Sequence, residues 1–297
     1  MLAIVIPYYK LTFFRETLQS LSEQTDKRFK VYIGDDASPE NPSFLLAEYE
    51  DTFDFGYKRF ENNLGSESLV KQWERCIEMI GDEEWIMILG DDDYISSSLV
   101  KYWYSNHEEF RDKTEVVRFT SALVNEQGER IFQVYPNPKW ESAEKSFLRK
   151  IRKQSRSSLS EYVFSKKTLQ RNGFIDYPLA WHSDDKAWLD FSEDKPIYSI
   201  DSEVFIRLSS INISGKKDNL DLKDKADFLF LKDLLQSKYL KKNSDVNATL
   251  LSFEQIIKKH RNLRIDEWQY LFKVYFRHFE IVSFGKFIRR FFVSFVK

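Results

Sequence analysis

Apolar positions in the first part of the chain follow two periods in turn. Short apolar runs with the length and composition of strands occupy positions 2–6, 31–34, 57–60 and 85–89. The segments between them place apolar residues at helical spacing, as Phe14, Leu18 and Leu21 do in the first segment. This alternation predicts an α/β fold with a parallel, doubly wound sheet and right-handed crossover helices.

The pattern changes after position 115. Apolar positions continue over 116–124, and Asn125-Glu-Gln-Gly128 behind them is typical of a hairpin turn. This turn predicts that antiparallel strands join the sheet. From about Gly215 onward nearly all of the chain has helical spacing. We therefore predict a mixed sheet in residues 1–215 and a helical extension in residues 216–297.

Polar residues gather where three predicted strands end, at Tyr8-Tyr9-Lys10, Asp35-Asp36 and Asp91-Asp92-Asp93. Ligands of such sheets bind beyond the carboxyl ends of the strands. The Asp-x-Asp spacing lets two carboxylates face one point, which suits a divalent cation that carries phosphates. The alternative is a solvated acidic turn that caps the next helix. Matching polarity at three strand ends favours the metal and phosphate site.

Glycine-rich phosphate loops are missing from the sequence. Neither Gly-x-Gly-x-x-Gly nor Gly-Lys-Ser/Thr follows the first predicted strand. Backbone amides of such a loop would otherwise hold the phosphates. A bound cation is therefore predicted to take over that role.

Composition narrows the class of protein further. With 42% hydrophobic and 16% aromatic residues, the chain is not intrinsically disordered. The single cysteine, Cys76, excludes an internal disulfide, and no apolar run has the length of a transmembrane helix. We expect a cytoplasmic protein. The formal net charge of −2 conceals an uneven distribution, because residues 238–297 hold thirteen Lys or Arg and five Asp or Glu.

This basic segment also holds two aromatic stripes at helical spacing. Trp268 to Phe279 form the first stripe, and Phe284 to Phe295 form the second. A basic helix with an aromatic face suits the surface of an anionic bilayer. We predict that residues 284–297 contact the inner face of the cell membrane and that the first stripe packs on the protein. Packing of both stripes is the alternative, and no nucleic-acid motif is present.

Five short motifs occur in a fixed order along the chain. They are Ile4-Val-Ile-Pro-Tyr-Tyr9, Asp35-Asp36-Ala-Ser38, Asn63-x-Gly65, Ile88-Leu-Gly-Asp-Asp-Asp-Tyr94 and Ser183-Asp184-Asp185-x-x-Trp188. Each motif is weak alone, whereas the ordered set resembles the inverting family 2 glycosyltransferases. These enzymes have the GT-A fold, the Rossmann-like nucleotide-diphospho-sugar transferase fold. The resemblance covers roughly residues 1–215.

The resemblance implies roles for the residues of the donor side. Tyr9 would stack on the nucleotide base, and Asp36 with Asp35 would accept a hydrogen bond from the base imide, which favours uracil. The acidic motif would contact the rest of the nucleotide and a divalent metal, Mg²⁺ or Mn²⁺, that bridges the diphosphate. Its nucleotide-binding residues would be Asp91 and Asp92, and its metal ligands would be Asp91 and Asp93.

On the acceptor side, the resemblance assigns Asp185 as the general base that deprotonates the acceptor hydroxyl. The chain departs from the family at two metal-related positions. Gly90 stands where the family often has Asp, and Ser209 stands where a metal-binding His is frequent. The metal is then expected to have fewer protein ligands. His182 is predicted to be structural or to face the acceptor.

The sequence thus predicts a metal-dependent inverting glycosyltransferase that moves one sugar from a UDP-sugar to a glycan or lipid-linked saccharide. A sugar-1-phosphate nucleotidyltransferase is the first alternative. It would need a glycine-rich, Arg-containing loop after the first strand, where Pro7-Tyr-Tyr-Lys10 stands. The second alternative is a non-catalytic nucleotide-binding scaffold of a glycan-assembly complex. Such a scaffold would lack a carboxylate within reach of an acceptor hydroxyl.

Overall fold

Parallel strands form one half of the central sheet. The computed structural model describes residues 1–212 and 219–295, which form a nine-stranded sheet. The parallel strands are β1 (Leu2–Tyr8), β2 (Phe29–Asp35), β3 (Phe55–Arg59) and β4 (Trp85–Ile88), in the order β3-β2-β1-β4. Their carboxyl ends lie at one edge, where Tyr8 pairs with Asp35. The polar residues after these strands are therefore neighbours.

The other half of the sheet is mixed. Its strands are β5 (Tyr94–Ile95), β6 (Val116–Val124), β7 (Trp140–Ser142), β8 (Tyr162–Ser165) and β9 (Pro196–Arg207). Strand β8 runs antiparallel between β4 and β6, whereas β6 and β9 are parallel. The predicted mixed α/β sheet is confirmed.

The predicted hairpin after β6 forms only in part. The turn is present, because the Asn125 N–H donates to Glu129 O at 2.9 Å and Gly128 has a φ of 78°. In the described chain the returning arm pairs with β6 only at Arg130. Pro136 and Pro138 follow in this arm, and a proline has no N–H to donate to a ladder. The antiparallel neighbour of β6 is β8 instead.

Helices cover both faces of the sheet. They are α1 (Phe14–Ser22), α2 (Ser43–Ala47), α3 (Leu69–Ile77), α4 (Leu99–Phe110), α5 (Ala143–Ile151), α6 (Lys166–Asn172) and α7 (Ser183–Phe191). Along β1, Leu2 and Ile4 join one hydrophobic cluster, whereas Ala3 and Val5 join the other. A strand covered on both faces needs apolar residues at successive positions. This explains the continuous apolar runs in the sequence.

The helical extension shares its core with the sheet. Its helices are α8 (Leu220–Gln236), α9 (Asn243–Lys258), α10 (Ile265–Arg277) and α11 (Ile281–Val293). One hydrophobic cluster includes Val5 of β1, Phe230 of α8 and Trp268 of α10. The two parts of the chain are therefore joined through a common core. The predicted boundary between residues 215 and 216 lies outside the described residues.

The two aromatic stripes divide between core and surface. Trp268, Tyr275 and Phe287 are buried, whereas Phe276 and Phe292 are 67% and 64% exposed. The sequence assigns the first stripe to packing and the second to the membrane, but each helix has a buried and an exposed side. No helix in the described ranges is long and apolar enough to cross a bilayer.

Substitution of the glycine near the end of β2 tests how closely this strand packs on α3. A methyl group at Gly34 would lie 2.2 Å from Cys76 Sγ on α3, so Gly34→Ala forces the two elements apart. We expect the free energy of unfolding to fall by about 1–3 kcal/mol, as for other overpacked cores. Cys76→Ala in the same chain should recover part of this loss. Urea unfolding measures both effects.

Gly56→Ala on β3 is the matched control. The nearest atom to a methyl group there is Tyr32 Cδ1, at an ordinary contact distance of 3.9 Å. This variant should retain the stability of the unmodified chain. Equal stabilities of Gly34→Ala and Gly56→Ala would contradict the close approach of β2 and α3.

Candidate active site

The site begins at the acidic loop that follows β4. Asp91 Oδ2 accepts the backbone N–H groups of Tyr9 and Lys10 at 2.7 and 2.8 Å. These amides directly follow β1, the neighbour of β4 in the sheet. Asp91 Oδ1 accepts no hydrogen bond from a described residue, and Asp91 lines a cleft beside the loop. One oxygen therefore anchors the loop while the other is available to a ligand.

Asp93 is held by different elements. Its Oδ1 accepts the Arg207 N–H at 2.9 Å, and its Oδ2 accepts the Ser160 hydroxyl at 2.5 Å. The Thr17 hydroxyl of α1 donates to the Asp93 carbonyl at 2.7 Å. The loop is therefore fixed from β9, α1 and the segment before β8. Each carboxylate oxygen of Asp93 retains a lone pair.

Negative charge in this loop is poorly compensated. Burial, and next the charge of Asp92, raise the pKa of Asp91 to about 7 and that of Asp93 to about 8. Burial also raises the pKa of Asp92. Carboxyls that resist ionisation in this way gain from a nearby cation. The charge distribution thus fits a bound divalent ion.

The ligand geometry restricts how such an ion could be held. In residues 1–212 and 219–295, no three His, Cys, Asp or Glu side chains converge as a metal site. Ser209, which replaces the frequent His, has a buried hydroxyl with no described partner. If a divalent ion binds here, Asp91 and Asp93 are the carboxylates that would hold it, and its other ligands would come from outside the protein.

Gly90 makes room for the acidic side chains. A Cβ atom at this position would lie 3.0 Å from Asp92 Oδ1 and 3.1 Å from Asp93 Oδ2. Both distances are shorter than ordinary van der Waals contacts. A larger residue at this position, such as the Asp that is frequent in the glycosyltransferases the sequence resembles, would displace these two carboxylates. The glycine is therefore needed for the observed positions of Asp92 and Asp93.

A cleft of about 440 Å³ opens beside the acidic loop. Its lining includes Tyr9, Asp36, Asn63, Asp91 and Asp92. The Tyr9 hydroxyl accepts a hydrogen bond from Asn63 Nδ2 at 3.1 Å. Asp36 accepts the backbone N–H of Leu64 at 2.7 Å and that of Gly65 at 2.9 Å, and it pairs with Arg75. The end of β1 and the turn before α3 thus form one rigid wall.

Asp35 does not line this cleft. Its side chain is fully buried, and Oδ2 accepts the Tyr57 hydroxyl at 2.6 Å and the Arg59 guanidinium at 2.8 Å. Its Oδ1 accepts the Ser38 N–H at 2.8 Å, and the Ser38 hydroxyl donates to Tyr9 O at 2.6 Å. Asp35 therefore affects the cleft only indirectly. It hydrogen-bonds Ser38, and Ser38 holds the backbone of Tyr9.

A second cleft of about 390 Å³ adjoins the first, and Leu69 lines both. Its acidic residues are Asp184 and Asp185 at the start of α7, and Lys150 of α5 faces them. Lys150 Nζ donates to both oxygens of Asp185 at 2.5 Å. His182 Nδ1 lies 2.7 Å from Asp185 Oδ2. Asp185 is thus held by two basic groups.

The pKa values of the two neighbouring acids move in opposite directions. Burial alone would raise the pKa of Asp185, but Lys150 and His182 outweigh burial and hold it well below its usual range. For Asp184, burial and the charge of Asp185 raise the pKa to about 6. The charges of Lys150 and His182 and the backbone N–H of Asp185 offset part of this rise. Asp185 is therefore held by side-chain hydrogen bonds from two basic groups, whereas Asp184 is not.

His182 connects this cleft to the helical extension. Its Nε2 lies 2.6 Å from Asp227 Oδ1 of α8, and its ring stacks on Phe230 at a centroid distance of 4.6 Å. Burial opposes a charge on the ring, but the hydrogen bonds to Asp185 and Asp227 outweigh it and raise the His182 pKa. A protonated ring then donates from both nitrogens.

The structure brings most of the predicted residues to one edge of the sheet. Tyr9, Asp36, Asp91 and Asp92 line the first cleft and Asp185 lines the second. Asp93 lies beneath the first cleft, and Asp35 lies outside both clefts. Sequence reasoning missed other contributors. Lys150 and Asp227 lie on ordinary helices with no motif around them, and Ser160 lies in a short turn before β8. Arg207 begins the late segment that the sequence singles out only for Ser209, without a role for the Arg207 side chain.

Comparison with known proteins agrees with this architecture. The sequence model of Glycosyl transferase family 2 matches residues 3–164. No curated protein sequence matches the chain significantly. Residues 1–349 of S. aureus TarS in complex with UDP-GlcNAc match with a TM-score of 0.68 at 13% identity, covering 93% of this chain and 80% of that one.

Two further TarS structures are similar. The complex of residues 1–349 with UDP has a TM-score of 0.62 at 15% identity and covers 92% of this chain and 78% of that one. A structure of S. aureus TarS has a TM-score of 0.63 at 14% identity and covers 95% of this chain and 50% of that one. At such low identities the likeness shows the fold alone.

The mixed sheet with its helical C-terminal part, and the acidic loop and clefts at its carboxyl edge, define a glycosyltransferase of the GT-A type. The chain belongs to glycosyl transferase family 2, whose sequence model matches more than half of it. The family and the fold predicted from the sequence are both confirmed.

Arg207 offers a test of how the site is assembled. It is 1% exposed, and its guanidinium donates to the carbonyls of Asp92, Asn125 and Glu126 at 2.9–3.1 Å and pairs with Glu16. Arg207→Met keeps the length but leaves these carbonyls unpaired. We expect a loss of about 1–3 kcal/mol in the free energy of unfolding, measured by urea titration.

Glu16→Gln is the control for the ion pair alone. Because the Glu16 side chain is 53% exposed, we expect this variant to lose less than about 1 kcal/mol. Because Arg207→Met removes the ion pair as well, losses of equal size for Glu16→Gln and Arg207→Met would mean that the ion pair, and not the carbonyl contacts, holds the loop.

Proposed function

We propose that this glycosyltransferase moves one sugar from a UDP-sugar to a hydroxyl of a glycan or lipid-linked saccharide, with inversion at the anomeric carbon. The observation that carries the proposal is the pair of adjoining clefts, one lined by Tyr9, Asp36 and Asp91 and the other by Asp184 and Asp185. TarS was solved with UDP-GlcNAc and with UDP, which supports a uridine nucleotide in the first cleft.

The nucleotide base lies against Tyr9 in this proposal. The contact with Asn63 holds the Tyr9 ring, and the chain from Asp35 through Ser38 holds its backbone. The Asp36 carboxylate accepts a hydrogen bond from the imide N–H of the base. Three donors already fix this carboxylate, so it would discriminate between bases without having to reorganise.

The ribose and diphosphate face the acidic loop. Asp91 and Asp92 line the first cleft and contact the ribose, and Asp91 with Asp93 would hold Mg²⁺ or Mn²⁺. Such a cation would neutralise the charge that develops on the departing UDP. The poorly compensated charge of the loop supports this arrangement.

The acceptor occupies the second cleft. As its hydroxyl oxygen attacks the anomeric carbon, the bond to the diphosphate breaks with its electron pair and the hydroxyl proton passes to a carboxylate. The Asp184–Asp185 pair supplies that carboxylate, and the resemblance to family 2 assigns Asp185 to the role. Direct displacement inverts the carbon and needs no enzyme nucleophile.

The exposed side of α10 and α11 supports a peripheral membrane location for this reaction. Nine of the eighteen exposed large hydrophobic residues of the described chain lie between Ile265 and Phe295. The exposed basic residues of the two helices are Lys273, Arg277, Lys286 and Arg289. Apolar side chains with nearby cations complement an anionic bilayer surface. We propose that this face, including residues 284–295, docks on anionic lipid at the inner membrane leaflet.

A panel of UDP- and GDP-sugars with Mg²⁺ or Mn²⁺ tests the donor. We expect slow hydrolysis of at least one UDP-sugar, and a rise in melting temperature with UDP and Mn²⁺ together that exceeds the rise with either alone. Asp93→Ala should remove this cooperative rise and slow hydrolysis by at least about a hundredfold, because the leaving group then lacks its cation.

Asp201→Ala is the matched control, since Asp201 is an exposed carboxylate on β9 far along the strand from the acidic loop. It should behave as the unmodified chain does. UDP binding without hydrolysis of any sugar would favour the scaffold alternative, and UDP-sugar formation from UTP and a sugar 1-phosphate would favour the nucleotidyltransferase.

Vesicle co-sedimentation tests the membrane contact. The unmodified protein should bind phosphatidylglycerol-containing vesicles and not pure phosphatidylcholine vesicles. Phe276→Ser with Phe292→Ser should weaken binding at least about tenfold, because burial of each Phe in the bilayer contributes about 1.5–3 kcal/mol.

Phe44→Ser on α2 is the control, because Phe44 is also exposed, at 83%, but lies outside the proposed face. Its binding should equal that of the unmodified protein. Equal binding of all three proteins would place the contact elsewhere, and no binding to anionic vesicles would exclude it.

A further inference from the structure

The first cleft is rich in carboxylates and contains a single basic side chain. Its acidic residues are Asp36, Asp91 and Asp92, and Lys10 is the only Lys, Arg or His among the described residues that line it. Arg75 lies behind Asp36 in a salt bridge and is not part of the lining. A nucleoside diphosphate would bring further negative charge into this space. Among the described side chains, Lys10 is therefore the cation that can meet it.

The backbone and the side chain of Lys10 are held at opposite sides of the cleft. Lys10 lies two residues beyond β1, and its N–H donates to Asp91 Oδ2 of the acidic loop at 2.8 Å. Its Nζ donates to the carbonyl of Ile211, another residue of the lining. The side chain thus crosses from the acidic loop to the segment that follows β9.

Lys10 retains hydrogen-bonding capacity for a ligand. An ammonium group has three N–H donors, and Ile211 is the one described acceptor. No carboxylate of the described residues is within ion-pair distance of Nζ, although the Lys10 charge acts on Asp91 and Asp92 at longer range. A half-buried cation of this kind gains from an anion that approaches it. Two donors and one positive charge are therefore available to a phosphate.

We propose that Lys10 binds the diphosphate of the donor directly, as a second cation beside the one that the acidic loop would hold. The assignment rests on the proposed function and names a residue to which the resemblance to family 2 gives no role. The affinity for UDP then depends on the metal only in part, because one of the charges that meet the phosphates belongs to the protein. The same ammonium group would stabilise the phosphate that leaves with UDP.

Calorimetric titrations with UDP and with uridine, each in EDTA and in Mn²⁺, test this contact. Uridine has the base and ribose of UDP without its phosphates. Lys10→Met should weaken UDP binding at least about tenfold, the effect of losing one hydrogen bond to a charged group, and leave uridine binding unchanged. The loss should appear in both buffers, because the charge of Lys10 does not depend on the metal.

Three further variants separate the charge from the structure. Lys10→Arg keeps the charge and should bind UDP within about threefold of the unmodified protein. Lys10→Gln keeps a donor for the Ile211 carbonyl without the charge, and it should bind UDP as weakly as Lys10→Met. Lys101→Met is the matched control, because Lys101 is exposed on α4 and lines neither cleft. It removes one positive charge and should bind UDP as the unmodified protein does.

A purely structural role of Lys10 would give a different result. If Lys10 only joins the segment after β9 to the cleft, Lys10→Met should weaken UDP and uridine binding by the same factor, and Lys10→Gln should restore both. That outcome would overturn the proposal. Equal UDP affinities of Lys10→Met and the unmodified protein would also overturn it, as would complete loss of UDP binding by the unmodified protein in EDTA.

The failure of the proposed function would look different. An unmodified protein that binds neither UDP nor uridine and hydrolyses no UDP-sugar would remove the function itself. An unmodified protein that hydrolyses a UDP-sugar, while Lys10→Met keeps its full UDP affinity, would leave the function intact and exclude Lys10 as a ligand of the diphosphate.

Discussion

The site depends on a carboxylate loop at the carboxyl edge of the sheet. Asp93 is buried and Asp91 is half-buried where it lines the first cleft, and a carboxylate withdrawn from water is stable only where fixed donors or cations meet it. The N–H groups of Tyr9, Lys10 and Arg207 are these donors. Tyr9 and Lys10 directly follow β1 and Arg207 ends β9, and these strands are distant in sequence. The loop can therefore reach this conformation only when both halves of the sheet are in place.

Charge is balanced differently on the two sides of the site. The acidic loop meets backbone amides and a hydroxyl, which leave its charge largely uncompensated and favour a cation with phosphate. Asp185 instead meets Lys150 and His182, so its charge is fully compensated. Lys150 and His182 act on the neighbouring Asp184 only through their charge, and burial with the charge of Asp185 raises its pKa. The acidic residues on the two sides of the site thus differ in pKa because their partners differ.

The helical extension is part of the site and of the core. Asp227 of α8 hydrogen-bonds the His182 ring, and Phe230 of α8 stacks on it. Trp268 of α10 belongs to the hydrophobic cluster that includes β1 residues. The sequence describes this region only as helical, aromatic and basic. Each of its two apolar stripes contains both buried and exposed aromatic residues, because one side of each helix packs in the core and the other side faces solvent.

Strands β1 to β4, the helical extension and the carboxylates at the strand ends are predictable from the sequence, because periodicity and short motifs are local properties. The direction in which each carboxylate faces depends on the folded neighbours of the strand. Asp35 and Asp36 are adjacent, yet the first is buried against β3 and the second lines the cleft. The clamp on Asp185 joins residues separated by 35 positions, and His182 reaches Asp227 across 45. Contacts over such separations leave no local pattern, so they arise only when the chain has folded.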